Sequence, residues 1–195
     1  DPTHTWTKKY QALAVGPGLG RTPQATGQVH LALAQVGVHS PAVIDADALF
    51  LTQPATFSAL PPSTFILTPH AGEFKRFFGV EVTPKNRATV ASDASRLTGQ
   101  IIVLKGHGTI VAAEGETWVN PTGNPGLATA GTGDVLAGMI AGLLAQGMPA
   151  PEAAQLGVYL HGKAADLAIK TIGIRSLTAQ DVLAHIGPAF LCLEG

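Results

Sequence analysis

The sequence predicts an α/β fold: a three-layer sandwich with a mostly parallel sheet and helices on both faces. Three observations predict it. Short unbroken apolar runs, such as Ile101-Ile102-Val103-Leu104, suit strands buried on both sides. Helical patterns alternate with these runs along the chain. Each run ends in a loop rich in glycine, proline or carboxylates, the place where open α/β sheets bind ligands.

The bulk properties agree. The chain has 195 residues, enough for one domain with a substantial core. It is 46% hydrophobic and only 13% charged, which marks a globular chain and not a disordered one. Its formal net charge of −1, with no Lys/Arg run, argues against a nucleic-acid partner held by phosphate neutralisation. Cys192 is the single cysteine, so no intrachain disulfide forms and a reducing compartment fits. No charged start leads into an apolar secretory core. Val135 to Ala145, the longest clean apolar run, is too short to span a bilayer and reads as a buried helix. The chain starts Asp1-Pro2-Thr3-His4, without methionine, and reaches its first strand almost at once. The expectation is a single domain over 1–195, truncated at its N-terminus, with sheet strands missing upstream.

Taken in order, Ala12–Val15 reads as a strand ending in Gly16-Pro17-Gly18-Leu19-Gly20, whose glycines let a ligand approach the backbone. The spacing is not the dinucleotide fingerprint G-x-G-x-x-G. A helix is expected from Pro23 to about Gln35. Pro41–Ile44 is the next strand, ending in Asp45-Ala46-Asp47. Two carboxylates there suit a hydrated Mg²⁺ or a substrate hydroxyl. The plainer alternative has Asp47 capping the short helix that follows, the reading favoured for that residue, and Asp45 bonding loop amides.

Thr64–Leu67 is the third strand, followed by Thr68-Pro69-His70-Ala71-Gly72-Glu73 and a helix through Phe74–Phe78 that stops at Gly79. His70 and Glu73 share the strand-to-helix junction. A first-turn acid favoured by the helix dipole would equally explain Glu73. The seven histidines are scattered without zinc-like spacing. Pro84 to Leu97 predicts an amphipathic helix with a basic outer side of Lys85, Arg87 and Arg96.

Ile101–Leu104 ends in Lys105-Gly106-His107-Gly108-Thr109, which suits a nucleotide phosphate or ribose; Lys105 could also be a solvated loop lysine. Ile110–Ala113 and Thr117–Val119 predict a hairpin about Glu114-Gly115-Glu116. The Pro/Gly-dense stretch Asn120 to Ala128 is an ordered loop. It delivers the chain to Thr129-Ala130-Gly131-Thr132-Gly133-Asp134, small residues followed by a helix. Free N–H groups and the dipole at that helix start form an anion site. Alternatively, Thr132 or Asp134 merely caps the helix. A carboxylate beside a phosphate site is placed to take a proton from an attacking hydroxyl. Two helices are expected to finish the chain: Pro151 to about Ile169, and a last one opened by Thr178 with Asp181 three residues on, close to a capping box. His161 and Asp166 of the long helix read as structural.

With these motifs in view, the chain resembles the ADP-dependent NAD(P)H-hydrate dehydratases. The resemblance rests on Val15-Gly16-Pro17-Gly18-Leu19-Gly20, Ile44-Asp45-Ala46-Asp47-Ala48-Leu49, Leu67-Thr68-Pro69-His70-Ala71-Gly72-Glu73, Leu104 to Thr109 and Gly123 to Asp134, in family order. Broader ribokinase relatives usually carry Asn where this chain has His70. The resemblance implies a ribokinase-like fold and a lyase that restores NADH or NADPH from its 6-hydrate, phosphorylating the hydrate from ADP, with ATP as an alternative donor. It implies that Asp134 is the catalytic base, and that Gly131, Thr132 and Gly133 form the anion hole. Lys105, Gly106, His107, Gly108, Thr109 and Gly133 would bind the adenine nucleotide. Gly18, His70 and Asp134 would contact the NAD(P)H hydrate, and Glu73 matches an acid that positions Mg²⁺ through water. It further implies a cytoplasmic homo-oligomer, a tetramer, with no nucleic-acid or membrane partner, fused in some full-length proteins to an epimerase domain. Two other expectations stand beside it: a vitamin-precursor kinase of the ribokinase superfamily, and a nucleotide-binding module without catalysis.

Overall fold

The computed structural model describes residues 10–194; the opening Asp1-Pro2-Thr3-His4 lies outside them. Four short strands, β1 (Leu13–Val15), β2 (Ala42–Ile44), β3 (Phe65–Leu67) and β4 (Ile101–Leu104), run parallel. β5 (Ile110–Ala113) and β6 (Glu116–Val119) return as an antiparallel hairpin. The spatial order is the chain order. In register, Val43 lies between Ala14 and Ile66, and Ile66 pairs with Ile101. The hairpin turns at Glu114 and Gly115, both with positive φ (52° and 90°), the geometry of a type I′ turn.

The strands divide their side chains between two cores, as period-2 alternation requires. Ile44, Leu67 and Leu104 face α1 (Pro23–His39), α2 (Ala46–Leu51), α3 (Pro54–Ser58), α4 (Ala71–Phe78) and α5 (Arg87–Thr98). Val43, Ile66 and Val103 face α6 (Thr132–Ala145) and α7 (Ala150–Ile172). α8 (Ala179–Ala184) and α9 (Ile186–Glu194) pack on α7 through Leu160, Ala164, Val182 and Ala189. No helix of the described residues is long and apolar enough to cross a membrane. Buried Gln100 holds the start of β3: its Oε1 accepts from Thr64 N and Phe65 N, and its Nε2 donates to the Phe57 and Pro61 carbonyls. All four capacities of that amide are used, so its burial is tolerated.

Three expected elements differ. α1 continues to His39, past Gln35. α5 starts at Arg87, not Pro84, because Asn86 makes a turn: its Oδ1 accepts from Thr83 N at 2.7 Å and its Nδ2 donates to Glu81 O at 2.9 Å. The described residues end in three α-helices, not two. The Thr178–Asp181 capping box starts α8 as expected. His185 Nδ1, 2.7 Å from Asp181 O, closes that helix. Pro188, which has no N–H, is accommodated only in the first turn of a new helix, α9.

The loop before α6 is stapled to α7. Asn120 Nδ2 donates to Thr122 O and Val158 O, and Asp166 accepts from Gly123 N at 2.8 Å and Asn124 Nδ2 at 2.9 Å. Asp166 is structural, as its place in the helix suggested. Gly162 makes the contact possible: a Cβ there would overlap Thr122 and stand 2.8 Å from Gly123 N. One residue earlier, buried His161 sets Nε2 2.9 Å from Thr132 O. A carbonyl only accepts, so Nε2 carries the proton and the ring ties α7 to the first turn of α6.

Burial lowers the His161 pKa from 6.5 to about 4, with the Lys105 ammonium pushing the same way against the Thr132 bond. The folded ring stays neutral while the unfolded chain protonates below pH 6.5. Stability is therefore unaffected by this group above pH 6.5 and falls by about 1.4 kcal/mol per pH unit from 6.5 down to about 4. Thermal unfolding should show a steeper acid decline for the native chain than for His161→Gln; equal slopes would contradict the neutral, buried ring. Gly162→Ala should cost about 1–3 kcal/mol by overpacking, read as a lower denaturant midpoint. An unshifted midpoint would mean that the loop does not rest on α7.

Candidate functional site

Because β1 to β4 are parallel, their carboxyl ends share one rim of the sheet. The ladder extends into the loops there. Asp45 N donates to Val15 O, Thr68 N to Ile44 O and Lys105 N to Pro69 O, and His70 bridges Lys105 in parallel register. The backbones of Asp45, His70 and Lys105 thus sit at fixed heights on neighbouring strand ends.

Asp45 and Lys105 meet across that rim. Lys105 Nζ lies 2.7 Å from Asp45 Oδ1, with the lysine side chain 19% exposed and the aspartate 2%. Lys105 is therefore not a solvated loop lysine. Asp45 does not bond loop amides with its carboxylate either; it is the N-cap residue of α2, yet its side chain makes no cap bond. The pair approaches α6: a Cβ on Gly133 would be 3.6 Å from Lys105 Nζ and 3.7 Å from Asp45 Oδ2.

His70 and Glu73 form a capping box on α4. His70 Nδ1 accepts from Gly72 N and Glu73 N, and Glu73 Oε2 accepts from His70 N at 2.8 Å. His70 Nδ1 is thus unprotonated, and its ring is exposed. Glu73 does more than meet the dipole: Oε2 is also 3.7 Å from Lys105 Nζ, and Oε1 is 3.6 Å from His70 Nε2.

At α6 the N-cap is Gly131 (φ 86°), and no side chain caps the helix. Neither Thr132 nor Asp134 takes that role. The Thr132 hydroxyl turns back to Leu127 O (2.7 Å) and Thr129 O (2.8 Å), and Asp134 is exposed in the first turn. Thr132 N donates to Thr129 O at 3.4 Å, and the N–H groups of Gly133 and Asp134 are left without intrahelical acceptors, at the positive end of the dipole. A cavity of about 600 Å³ opens there, within the range of small-molecule sites. It brings together His70, Lys105, Gly106, His107, Gly108, Thr109, Thr132 and Gly133. Gly131 and Asp134 flank its helix start without lining it; Gly18 is exposed on the β1 loop and does not line it.

The Gly18 loop is held by Asp47, in a role other than the cap expected of it, and by Arg21, which the sequence did not mark. Asp47 lies inside α2, not at its cap, and accepts from Gly20 N (2.9 Å) and Arg21 Nε (2.7 Å). Those bonds hold its pKa below the ordinary carboxylate value, the Arg21 bond first, against the small cost of burial. Arg21 and Arg76 stack over the Phe50 ring at 3.9 and 3.4 Å, a double cation–π contact. His161 also lines the cavity, and only its burial in α7 reveals it. Arg87 departs from the expected basic outer side and reaches under Lys105 and Gly106.

The family model Carb_kinase, described as NAD(P)H-hydrate dehydratase, matches residues 3–188. The ADP-dependent (S)-NAD(P)H-hydrate dehydratase of Neisseria meningitidis is 43% identical over 185 residues, covering 91% of this chain and 61% of that protein. The bifunctional NAD(P)H-hydrate repair enzyme Nnr of Moorella thermoacetica is 42% identical over 187 residues, 94% of this chain and 35% of that protein. The chain thus spans about a third of such bifunctional relatives and under two thirds of the single-function one. The Bacillus subtilis ADP/ATP-dependent NAD(P)H-hydrate dehydratase, co-crystallised with ATP/Mg²⁺, superposes with a TM-score of 0.79 at 37% identity, covering 93% of this chain and 64% of that one. Thermotoga maritima ribokinase, 22% identical with a TM-score of 0.55, shares the fold. This chain is a ribokinase-like α/β protein and belongs to the NAD(P)H-hydrate dehydratase family.

Proposed function

We propose that the chain catalyses ADP-dependent dehydration of (6S)-NAD(P)H hydrate, giving NAD(P)H, AMP and phosphate. The observation that carries this reading is the cavity itself, where an uncapped helix start, the Lys105–Thr109 loop and the exposed His70 ring meet. Asp134 takes the proton of the 6-hydroxyl. The freed oxygen attacks the β-phosphorus of ADP, the bond from that phosphorus to the bridging oxygen breaks, and AMP leaves. In the second step the ring nitrogen pushes electrons as the C6–O bond breaks. Phosphate departs, a proton leaves C5, and the ring double bond returns. Phosphorylation is needed because hydroxide is a poor leaving group and phosphate a good one.

The residues divide this work. N–H groups of Gly131, Thr132 and Gly133 face the developing phosphoryl charge, and one such donor is worth about 10²–10³ in rate. The hydroxyl of Thr132 takes no part, being engaged with two carbonyls. Lys105 is held beside Gly133 by Asp45. Gly106, His107, Gly108 and Thr109 line the nucleotide side and His70 the hydrate side, with Gly18 contacting the hydrate from the β1 loop outside the cavity. Among the described residues no three His, Cys, Asp or Glu side chains group to hold a metal. The donor set fits an ion carried by the nucleotide, since Mg²⁺ usually keeps its waters and takes only one or two carboxylates besides phosphates. Glu73 would hold it through water, and the ion would supply charge neutralisation on the phosphates.

The test is turnover of NADH hydrate with ADP and Mg²⁺. NADH absorbance should rise as AMP and phosphate appear; a stable phosphorylated product would favour the kinase reading. Asp134→Asn should lower kcat by about 10²–10⁴ with the KM for ADP changed little, as loss of a general base predicts. Undiminished turnover in that variant would remove Asp134 from the chemistry.

A further inference from the structure

We infer that Arg87 is a positioning residue for the nucleotide phosphates, acting through the Lys105–Gly106 loop; this rests on the nucleotide reading of that loop. Arg87 opens α5, on the opposite side of the loop from the cavity's α6 wall. Its Nη2 donates to Leu104 O at 3.1 Å and Lys105 O at 3.4 Å. Gly106 closes over the guanidinium. With φ at +142°, it has backbone angles that side chains rarely adopt, and a Cβ there would come 2.7 Å from Nη1 and 3.0 Å from Nη2. The arginine and the glycine therefore specify one another: the planar fork fixes two carbonyls, and the missing side chain lets the loop lie flat on it.

Among the described residues no carboxylate forms an ion pair with Arg87. Its Nε is buried with no hydrogen-bond partner, the one such side-chain atom among the described residues. Burial lowers its pKa from the ordinary arginine value. An unpaired, partly desolvated cation is costly and is rarely kept without a use. The other full cation at this loop, Lys105, is already balanced by Asp45, with Glu73 close by. Arg87 thus supplies uncompensated positive charge behind the loop. Phosphates seated in front of that loop would complete the pairing. In doing so Arg87 would also hold the carbonyls of Leu104 and Lys105 back from the ligand side, while Lys105 N and Gly106 N are engaged with Pro69 O and Thr109 Oγ1.

The experiment uses the full chain, its Arg87→Met and Arg87→Lys variants, calorimetric titration with ADP, and ligand-observed NMR with adenosine. Arg87→Met should weaken ADP by about tenfold or more, the size of a lost charge-assisted contact, while adenosine binding stays within about threefold. Arg87→Lys keeps the charge without the fork and should fall between. A merely structural arginine would weaken both ligands alike, so parallel losses overturn the inference, as does unchanged ADP affinity. If Arg87→Met fails to fold, Arg87→Lys decides by the same comparison: a selective ADP loss supports the inference, and parallel or absent losses overturn it. A native chain that binds neither ligand overturns the nucleotide reading itself, and this inference with it.

Discussion

The Asp45–Lys105 ion pair is the constraint on which the rim of this protein depends. It joins the end of β2 to the end of β4 over the intervening β3, with an aspartate side chain only 2% exposed. Once formed in such a place it is hard to break, because removing either partner strands the other, at about 3–5 kcal/mol. Its effects spread from there. Asp45 forgoes capping its own helix, α2. Glu73, already fixed by the His70 capping box, is left facing the far side of the ammonium. α6 approaches so closely that a Cβ on residue 133 would touch both members of the pair, 3.6 Å from Lys105 Nζ and 3.7 Å from Asp45 Oδ2.

The result is a pre-arranged electrostatic site. Although α2, α3, α5 and α7 also start without a side-chain cap, the starts of α4 and α8 are closed by side chains, at His70 and Thr178. The start of α6 is not, and the cavity lies against it. Every side chain that could have filled the role is directed elsewhere: Thr132 to two carbonyls, Asp134 to solvent, His161 to the Thr132 carbonyl. Donors fixed in advance need no reorganisation when charge develops, which is the usual source of large electrostatic effects in catalysis. The neutral state of His161 serves the same end, since it ties α7 to α6 without adding charge at low cost to the fold near neutral pH.

Much of this was legible in the residues. Unbroken apolar runs gave the buried strands, and β4 matches its run residue for residue. Parallel strands then required the ligand loops to share one rim. The Thr178–Asp181 cap followed from its three-residue spacing. What escaped were partnerships across long stretches of chain. Asp47 binds Gly20 and Arg21, 27 and 26 residues away, and local cap rules point it elsewhere. Lys105 finds Asp45 60 residues away, so a loop lysine looks solvated until the strands are aligned. Arg87 follows the helix pattern of a basic surface, yet its long stem carries the guanidinium beneath a neighbouring loop. The capping box at His70 was closer to hand, for the His-x-x-Glu spacing copies the Ser/Thr-x-x-Glu pattern with a ring nitrogen as the acceptor.

We propose that this rim grips a phosphate chain between the open start of α6 and the tethered lysine. A crystal structure of the protein with ADP bound tests it most directly. The β-phosphate should lie within hydrogen-bonding distance of Gly133 N and beside Lys105 Nζ, with the Asp45 pair intact. Phosphates lying away from α6, or a lysine swung free of Asp45 with the helix start still turned to solvent, would contradict it.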